Sequence, residues 1–117
     1  MLGRASLVED RPFVGSRAET YRQFETAKAI MAANSAAMKL TREQWLYLYG
    51  WESQGTIGDI QSSRPWYWNR NAAARWDAWK DDFGMSCDQA RSKYVQEVLK
   101  IIAAKATKKI QRSGLHR

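Results

Sequence analysis

The apolar residues of this 117-residue chain recur at intervals of three and four positions over most of its length. That spacing places them on one side of an α-helix and is typical of helices that bury a single face. No strand signal, an alternation of apolar and polar residues bounded by turn residues, stands out. The pattern therefore predicts an all-α fold, in which four separate helices can be traced.

The first two helices are predicted from this periodicity and from one clear start signal. Residues 17–37 are rich in helix formers and predict the first helix. The second begins after Thr41, because Thr41 and Gln44 match a capping box, in which each side chain bonds the other residue's backbone N–H. It is predicted to end at Ser53 or Gln54. The predicted inward stripes are Tyr21, Phe24, Ala27 and Met31 in the first helix, and Leu46, Tyr49 and Ser53 in the second.

The third and fourth helices follow a long loop. Asn71 can cap the third helix, and Gly84 after Phe83 is a natural stop for it. Ser86 and Gln89 repeat the capping-box pattern and open the fourth and longest helix, predicted to run to about residue 109. The predicted stripes are Ala72, Trp76, Trp79 and Phe83 in the third helix, and Ala90, Tyr94, Val98 and Ile101 or Ile102 in the fourth, widened by Val95 and Leu99.

The loop between the second and third helices covers roughly residues 55–69 and contains helix-breaking glycines and an Arg-Pro pair. A connection of this length in a compact domain usually has a function. Trp66 and Trp68 flank Tyr67 there, and the six tryptophans of the chain are more than so small a core can comfortably bury. These aromatics predict either a lid over an apolar ligand or a docking surface for a protein partner. A loop packed onto its own domain is the alternative.

The excess of positive charge is concentrated near the C-terminus. The net charge is +7, but six of the 19 bases and none of the 12 acids lie in the last 18 residues, so residues 1–99 hold 13 bases and 12 acids. A basic end suits an anionic partner, or is a solvated helix end whose cations complement the helix dipole. Nucleic-acid binding is disfavoured, because no aromatics are interleaved with the bases. We therefore divide the chain into an extended arm (1–16), a helical domain (17–106) and a basic tail (107–117).

Few residues of the chain are candidates for disulfide formation, metal binding or catalysis. The single cysteine, Cys87, excludes an internal disulfide, and with the single histidine, His116, it makes a zinc site implausible. No base, nucleophile and orienting partner stand out together, so we expect neither enzyme activity nor a cofactor. No apolar run of about 20 residues predicts a transmembrane segment. The compartment, cytoplasmic or mitochondrial, stays open.

Four short stretches carry a family resemblance: YLYG at 47–50, QGTIGDI at 54–60, RP at 64–65 and AxWDAW at 74–79. Together they resemble the acyl-CoA-binding protein family, over about residues 20–103. The resemblance implies an up-down-down-up bundle whose first, second and fourth helices enclose the core. It also implies a site for long-chain acyl-CoA, whose phosphates require cations and donors, whose adenine requires an aromatic or apolar wall, and whose tail requires an apolar groove.

The resemblance further implies which residues hold that ligand. Tyr49 matches the tyrosine that reaches the 3′-phosphate, and Arg75 matches the basic residue that contacts phosphate just before WDAW. Tyr94 matches the fourth-helix tyrosine beside the nucleotide. Phe24 matches the first-helix aromatic beside the ligand.

This chain also departs from the family pattern. Family members usually carry Tyr-Lys, against adenine and phosphate respectively, where this chain has Glu52 and Ser53. Two further lysines of the family site fall on Asn71 and near Ala32. Each lost charge-assisted phosphate contact is worth about 1.5–3 kcal/mol, so losing two weakens binding by roughly two to four decades. Arg70 and Lys28 lie close enough in sequence to substitute in part for the two lost lysines. Ser53 is kept as a candidate site residue.

Two functional hypotheses follow. The first is a module that binds, sequesters and carries long-chain acyl-CoA. The second is an accessory subunit of a larger, possibly mitochondrial, assembly that keeps the fold but has a degraded ligand site. Under the second hypothesis, both chain ends and at least one of Trp51, Trp66 and Trp68 are predicted to lie against another protein chain.

Overall fold

The computed structural model describes residues 16–112, and the only regular elements in that range are α-helices. This confirms the predicted all-α class. Most of the predicted arm (1–15) and the last five residues of the predicted tail lie outside the described range. The helices are α1 (Arg17–Met38), α2 (Arg42–Thr56), α3 (Arg70–Lys80) and α4 (Cys87–Arg112).

Side-chain caps fix where these helices begin. The Thr41 Oγ1 atom accepts from the Gln44 N–H at 3.0 Å, and Gln44 Oε1 accepts from the Thr41 N–H at 2.9 Å, so the predicted capping box is confirmed. Ser86 Oγ accepts from the Gln89 N–H at 3.0 Å at the start of α4. Ser16 Oγ caps α1 in the same way by accepting from the Glu19 N–H at 3.2 Å. Each cap satisfies a backbone donor that the first helical turn leaves without a partner.

The predicted bounds of α3 and α4 need correction. Asn69, not Asn71, caps α3, because its Oδ1 atom accepts from the Ala72 N–H at 3.4 Å and its own N–H already closes a turn onto the Trp66 carbonyl at 2.9 Å. The helix ends at Lys80, before the predicted end near residue 83. α4 instead runs three residues beyond its predicted end, so residues 107–112 of the predicted tail are exposed helix.

The core lies between α4 and the two helices that it contacts, α1 and α2, as the family resemblance implied. Within residues 16–112, α3 packs against α2 and contacts neither α1 nor α4. Burial of these apolar side chains is the main favourable contribution to folding. The core side chains are Phe24, Ala27 and Met31 of α1, Leu48 of α2, and Tyr94, Val95, Val98 and Ile101 of α4.

Several predicted stripe residues lie at the rim of the core and not inside it. Tyr21 is exposed because its ring lies under the Arg91 guanidinium at the surface, 5.0 Å from ring centre to Cζ. Leu48 occupies the buried position of α2 in place of Leu46, which is only partly buried. Phe83 and Leu99 are also exposed, in contrast to the prediction.

One buried amide joins α2 to the rest of the molecule. The Gln54 side chain is fully buried, and its Nε2 atom donates to Asp59 Oδ1 and to the Met85 carbonyl, both at 2.8 Å. Its Oε1 atom accepts from Trp79 Nε1 at 3.1 Å. Asp59 Oδ1 also accepts from the Gly84 N–H at 2.7 Å. The end of α2, the long loop, α3 and the turn before α4 therefore meet at a single side chain.

The loop is held on its own domain at several points. Arg64 makes a two-bond contact with Asp77 of α3, with Nε–Oδ1 and Nη2–Oδ2 distances of 2.8 and 2.9 Å. The Trp76 indole N–H donates to the Ser62 carbonyl at 3.0 Å. Ile60 is buried. The alternative of a loop packed onto its own domain thus holds for residues 60–64, whereas Trp66, Tyr67 and Trp68 are exposed.

Two glycines of α2 permit close helix packing. A Cβ atom at Gly50 would lie 2.7 Å from the Ala78 carbonyl oxygen of α3, closer than real Cβ contacts. A Cβ atom at Gly55 would lie 3.0 Å from Arg91 Cγ and 3.3 Å from Phe24 Cζ. The backbone of α2 can therefore approach α3 at one point and the α1–α4 pair at another only because these positions lack side chains.

We expect Gly50→Ala to lower the free energy of unfolding by about 1–2 kcal/mol, because forced overpacking against a backbone oxygen outweighs the higher helix propensity of alanine. Chemical denaturation of the two proteins measures the difference. Thr26→Ala at an exposed position of α1 is the control and should not destabilise the protein. An unchanged or higher stability for Gly50→Ala would contradict the packing argument.

Candidate functional site

Three predicted ligand-binding residues lie together where α1 crosses α4. The rings of Phe24 and Tyr94 meet edge to face with centroids 5.3 Å apart. Lys28 Nζ lies 4.7 Å above the centre of the Phe24 ring and 3.1 Å from Glu25 Oε2. An aromatic wall with a cation at its edge is thus formed by two helices.

Phe24 and Tyr94 are part of the core more than of an open surface, with 1% and 3% of their area exposed. The Tyr94 hydroxyl has no hydrogen-bond partner among residues 16–112. Burial raises the pKa of Tyr94 above its ordinary value, and the charge of Glu52 raises it further. The phenol therefore stays protonated at neutral pH and can donate a hydrogen bond to an acceptor such as a phosphate oxygen.

Tyr49 and Ser53 lie one turn apart on the same side of α2. Tyr49 is half-buried, and its ring is stacked on Trp45 with centroids 5.8 Å apart. Ser53 is almost buried, which leaves little of its hydroxyl to a ligand. Trp45 was not among the predicted site residues, although its spacing of four from Tyr49 could have indicated the stacking.

The two arginines predicted for the site, Arg70 and Arg75, are both on α3. Arg75 is partly buried and lies one turn before Trp79, whose indole contacts Gln54, so α3 directs this side of its surface toward the C-terminal half of α2. Neither arginine forms an ion pair or a side-chain hydrogen bond within residues 16–112. No hydrogen bond, ion pair or ring contact in that range joins them to Tyr49 or Tyr94, so the structure does not bring all predicted residues into one contact cluster.

Arg91 is a cation that the sequence analysis missed. Its Nε atom donates to the Gly55 carbonyl at 2.9 Å, and its guanidinium lies 5.0 Å from the Tyr21 ring and 5.9 Å from the Phe24 ring. It also approaches Asp88 at 3.4 Å. The signal was available, because Arg91 precedes Tyr94 by three residues and therefore lies on the same side of α4.

The chemistry of this region suits an anionic ligand with an aromatic part. Lys28 and Arg91 place two cations around the Phe24 ring, and the Tyr94 phenol adds a donor. Such cations and donors bind phosphate, and of the two rings beside Arg91, Tyr21 and not the buried Phe24 exposes surface on which an aromatic base could stack. Glu52 opposes this, because its exposed carboxylate is close enough to Tyr94 to affect that residue's pKa.

A cavity of about 380 Å³ lies between α2 and α3. Its walls are apolar or aromatic, and Trp51 contributes to them. Four carboxylates also line it, which makes it unsuitable for phosphate. The lining residues are Leu46, Tyr47, Trp51, Ala74, Ala78 and the acids Glu43, Asp77, Asp81 and Asp82.

Asp82 in this cavity is expected to make stability depend on pH. Burial, followed by the charge of Asp81, raises its pKa from 3.8 to about 6, against a smaller opposing effect of Lys93. Because the folded state then holds the proton more tightly than the unfolded state, the free energy of unfolding should fall as the pH rises from about 4 to about 6. Above pH 6, Asp82→Asn should be more stable than the parent by about 1 kcal/mol, a value reduced for solvent screening.

The measurement is urea denaturation of both proteins across that pH range. Asp81→Asn is the control. Removing this like charge should lower the pKa of Asp82 in part, so the pH range over which stability falls should become narrower without disappearing. Parallel pH profiles for the parent and Asp82→Asn would contradict this assignment.

Comparison with known proteins gives matches over most of the chain. The family model described as "Acyl CoA binding protein" matches residues 21–98. The acyl-CoA-binding protein of Brassica napus is 39% identical over 67 residues, covering 57% of this chain and 73% of the relative, and that of Gossypium hirsutum is 32% identical over 91 residues, covering 78% and 96%. The crystal structure of ACBP from Moniliophthora perniciosa superposes with a TM-score of 0.69 at 32% identity, covering 79% of this chain and 92% of that one.

Proposed function

This chain belongs to the acyl-CoA-binding protein family, and from that premise we propose that it binds long-chain acyl-CoA and sequesters or carries it. The observation that carries the proposal is the match over residues 21–98, which contains every residue predicted for the ligand site. Proteins of this name from several plants are the relatives on which the proposal rests.

The nucleotide end is proposed to bind between α1, α2 and α4, with α3 contributing a cation. Tyr49 is assigned to the 3′-phosphate and Arg75 to a further phosphate contact, and the protonated Tyr94 hydroxyl is assigned as an additional donor. Lys28 beside Phe24 supplies positive charge near an aromatic wall. Phosphate oxygens bind such cations and donors through charge-assisted hydrogen bonds.

The proposed role is binding without catalysis. No group of acidic, histidine or cysteine side chains within residues 16–112 could hold a metal ion, and no nucleophile with an adjacent base was identified. No helix in that range is long and apolar enough to cross a membrane. A module of this kind would keep an acyl-CoA in solution until an enzyme uses it.

A second candidate function is that of an accessory subunit in a larger assembly. Two observations favour it: Glu52 and Ser53 occupy positions where the family resemblance implies a ring and a cation, and the Trp66 and Trp68 rings are exposed. The docking of Trp51 to another chain has less support, because this side chain is partly buried against the core. Contact of the chain ends with a partner stays a prediction.

Calorimetric titration of the full chain with palmitoyl-CoA separates these two functions. Titration with coenzyme A alone and with palmitate alone shows how much each end of the ligand contributes. Binding of palmitoyl-CoA that is tighter than either part supports the carrier. If palmitoyl-CoA does not bind even at ligand concentrations far above the dissociation constant expected of a carrier, the accessory role is the better hypothesis.

We predict that Arg75→Ala weakens palmitoyl-CoA binding by about 1.5–3 kcal/mol, or about 10- to 150-fold, because a charge-assisted phosphate contact is lost. Arg75→Lys keeps the charge and should lose much less. Arg22→Ala is the matched control, since Arg22 is an exposed arginine of α1 paired with Glu19. Equal affinity of Arg75→Ala and the parent would remove Arg75 from the site.

Glu52→Gln should have the opposite effect. Removing one exposed carboxylate near the phosphates lowers repulsion by about 0.5–1 kcal/mol, so binding should tighten about two- to fivefold at low salt and less at high salt. Glu43→Gln removes the same charge from the same helix on the side of the acidic cavity, and should change the affinity little. If both variants behave alike, the effect is one of net charge and Glu52 does not lie beside the ligand.

A further inference from the structure

Three consecutive aromatic side chains project from the loop before α3. Trp66, Tyr67 and Trp68 expose 70%, 77% and 66% of their area, and we name them the aromatic tip. The two indole rings are stacked, with centroids 5.0 Å apart and planes 6° apart, and Tyr67 meets Trp68 edge to face at 5.3 Å. The rings therefore contact one another while most of their surface faces solvent.

The backbone holds the aromatic tip in place. The Asn69 N–H donates to the Trp66 carbonyl at 2.9 Å, and this bond closes a turn formed by residues 66–69. Asn69 then caps α3. On the other side, Arg64 is fixed to Asp77 by two hydrogen bonds. Because the free protein has already ordered this segment, binding through the tip loses less conformational entropy than binding through a flexible loop.

The charged residues in the chain segment that carries the aromatic tip, residues 61–75, are all cations. No acidic residue occurs between Ile60 and Trp76. Arg64 is neutralised by Asp77, but Arg70 and Arg75 form no ion pair within residues 16–112. The tip is therefore followed at the start of α3 by one exposed cation without an acidic partner in that range, Arg70, whereas Arg75 lies in the middle of the helix and is partly buried.

We propose that the aromatic tip docks onto the headgroup region of a membrane that contains anionic lipid. Tryptophan and tyrosine rings are enriched at that depth of a bilayer, where an apolar ring meets water and polar headgroups. Basic side chains near an anionic surface strengthen such binding by electrostatic attraction. Binding is peripheral and reversible, because only three rings are available for insertion and no described helix could span the bilayer.

A protein partner could also cover exposed tryptophans. The membrane is favoured because the three exposed rings lie on a turn without aliphatic neighbours in residues 61–71, and because the charged residues within 61–75 are all cations. This docking does not depend on acyl-CoA binding. It would nevertheless place a carrier at the surface where amphipathic acyl-CoA accumulates.

The test uses the full chain and vesicles of phosphatidylcholine, with and without phosphatidylserine and free of acyl-CoA. Sedimentation measures binding, and quenching of tryptophan emission by brominated phosphatidylcholine reports whether rings enter the bilayer. The variants are Trp66→Ala with Trp68→Ala, Arg70→Gln, and Leu99→Ala as a control, since Leu99 is an exposed apolar residue of α4, a helix that does not contact α3. Circular dichroism first establishes that each variant is folded.

The parent should bind vesicles containing phosphatidylserine, with quenched emission. The double tryptophan variant should bind at least about tenfold more weakly and lose the quenching, whereas Leu99→Ala should match the parent. Arg70→Gln should weaken binding only to the anionic vesicles. Because the basic C-terminal segment can attract anionic lipid by itself, binding without quenching in the parent overturns the proposal, as does the absence of binding to either vesicle. Equal behaviour of the double variant and the parent overturns it too.

Discussion

The fold depends on one buried amide more than on any other polar group. Gln54 has no exposed surface, yet both of its polar atoms are satisfied by groups from the loop, α3 and the turn before α4. Leaving a polar group of a buried amide without a partner would lower the stability of the fold by roughly 1–3 kcal/mol. The loss of any one of these contacts is therefore felt by the others. Since α3 contacts neither α1 nor α4 within residues 16–112, this network and the close approach at Gly50 are what join α3 to the core-forming helices.

The three sides of α2 explain how so small a chain separates opposite charges. Leu48 packs in the core, Gly50 packs against α3, and Tyr49 and Ser53, which are assigned to the ligand by family resemblance, lie one turn apart on a third side. The acidic cavity opens on the α3 side. The cations Lys28 and Arg91 instead lie around Phe24, where α1 meets α4. Each of these cations also contacts a carboxylate, of Glu25 and Asp88 respectively, so this region is less acidic than the cavity and not strongly positive.

Much of the fold could be predicted from the sequence, because helical periodicity and the Thr41 capping box are local signals. Some errors arose from local turns that the sequence pattern does not mark, and others from tertiary contacts. Asn69 replaces Asn71 as the cap because it also closes the turn of the aromatic tip, and Tyr21 remains at the surface because Arg91 covers its ring. Arg91 was missed since no family motif marked it, although its spacing from Tyr94 was visible. The contacts that assemble the site span distant helices, which periodicity does not describe.

Most residues whose polar contacts hold the fold together differ from those assigned to the ligand, although Phe24 and Tyr94 also belong to the hydrophobic core. Gln54, Asp59 and Trp79 form the buried network, and Arg64 with Asp77 fixes the loop. Glu52 is exposed and takes no part in either set of contacts. Charge at this position can therefore change without loss of the bundle, so a chain can retain the family fold while its affinity for a phosphate-bearing ligand changes several-fold. Similarity of fold therefore does not determine affinity, which is proposed to depend on the charges around Phe24 and Tyr94.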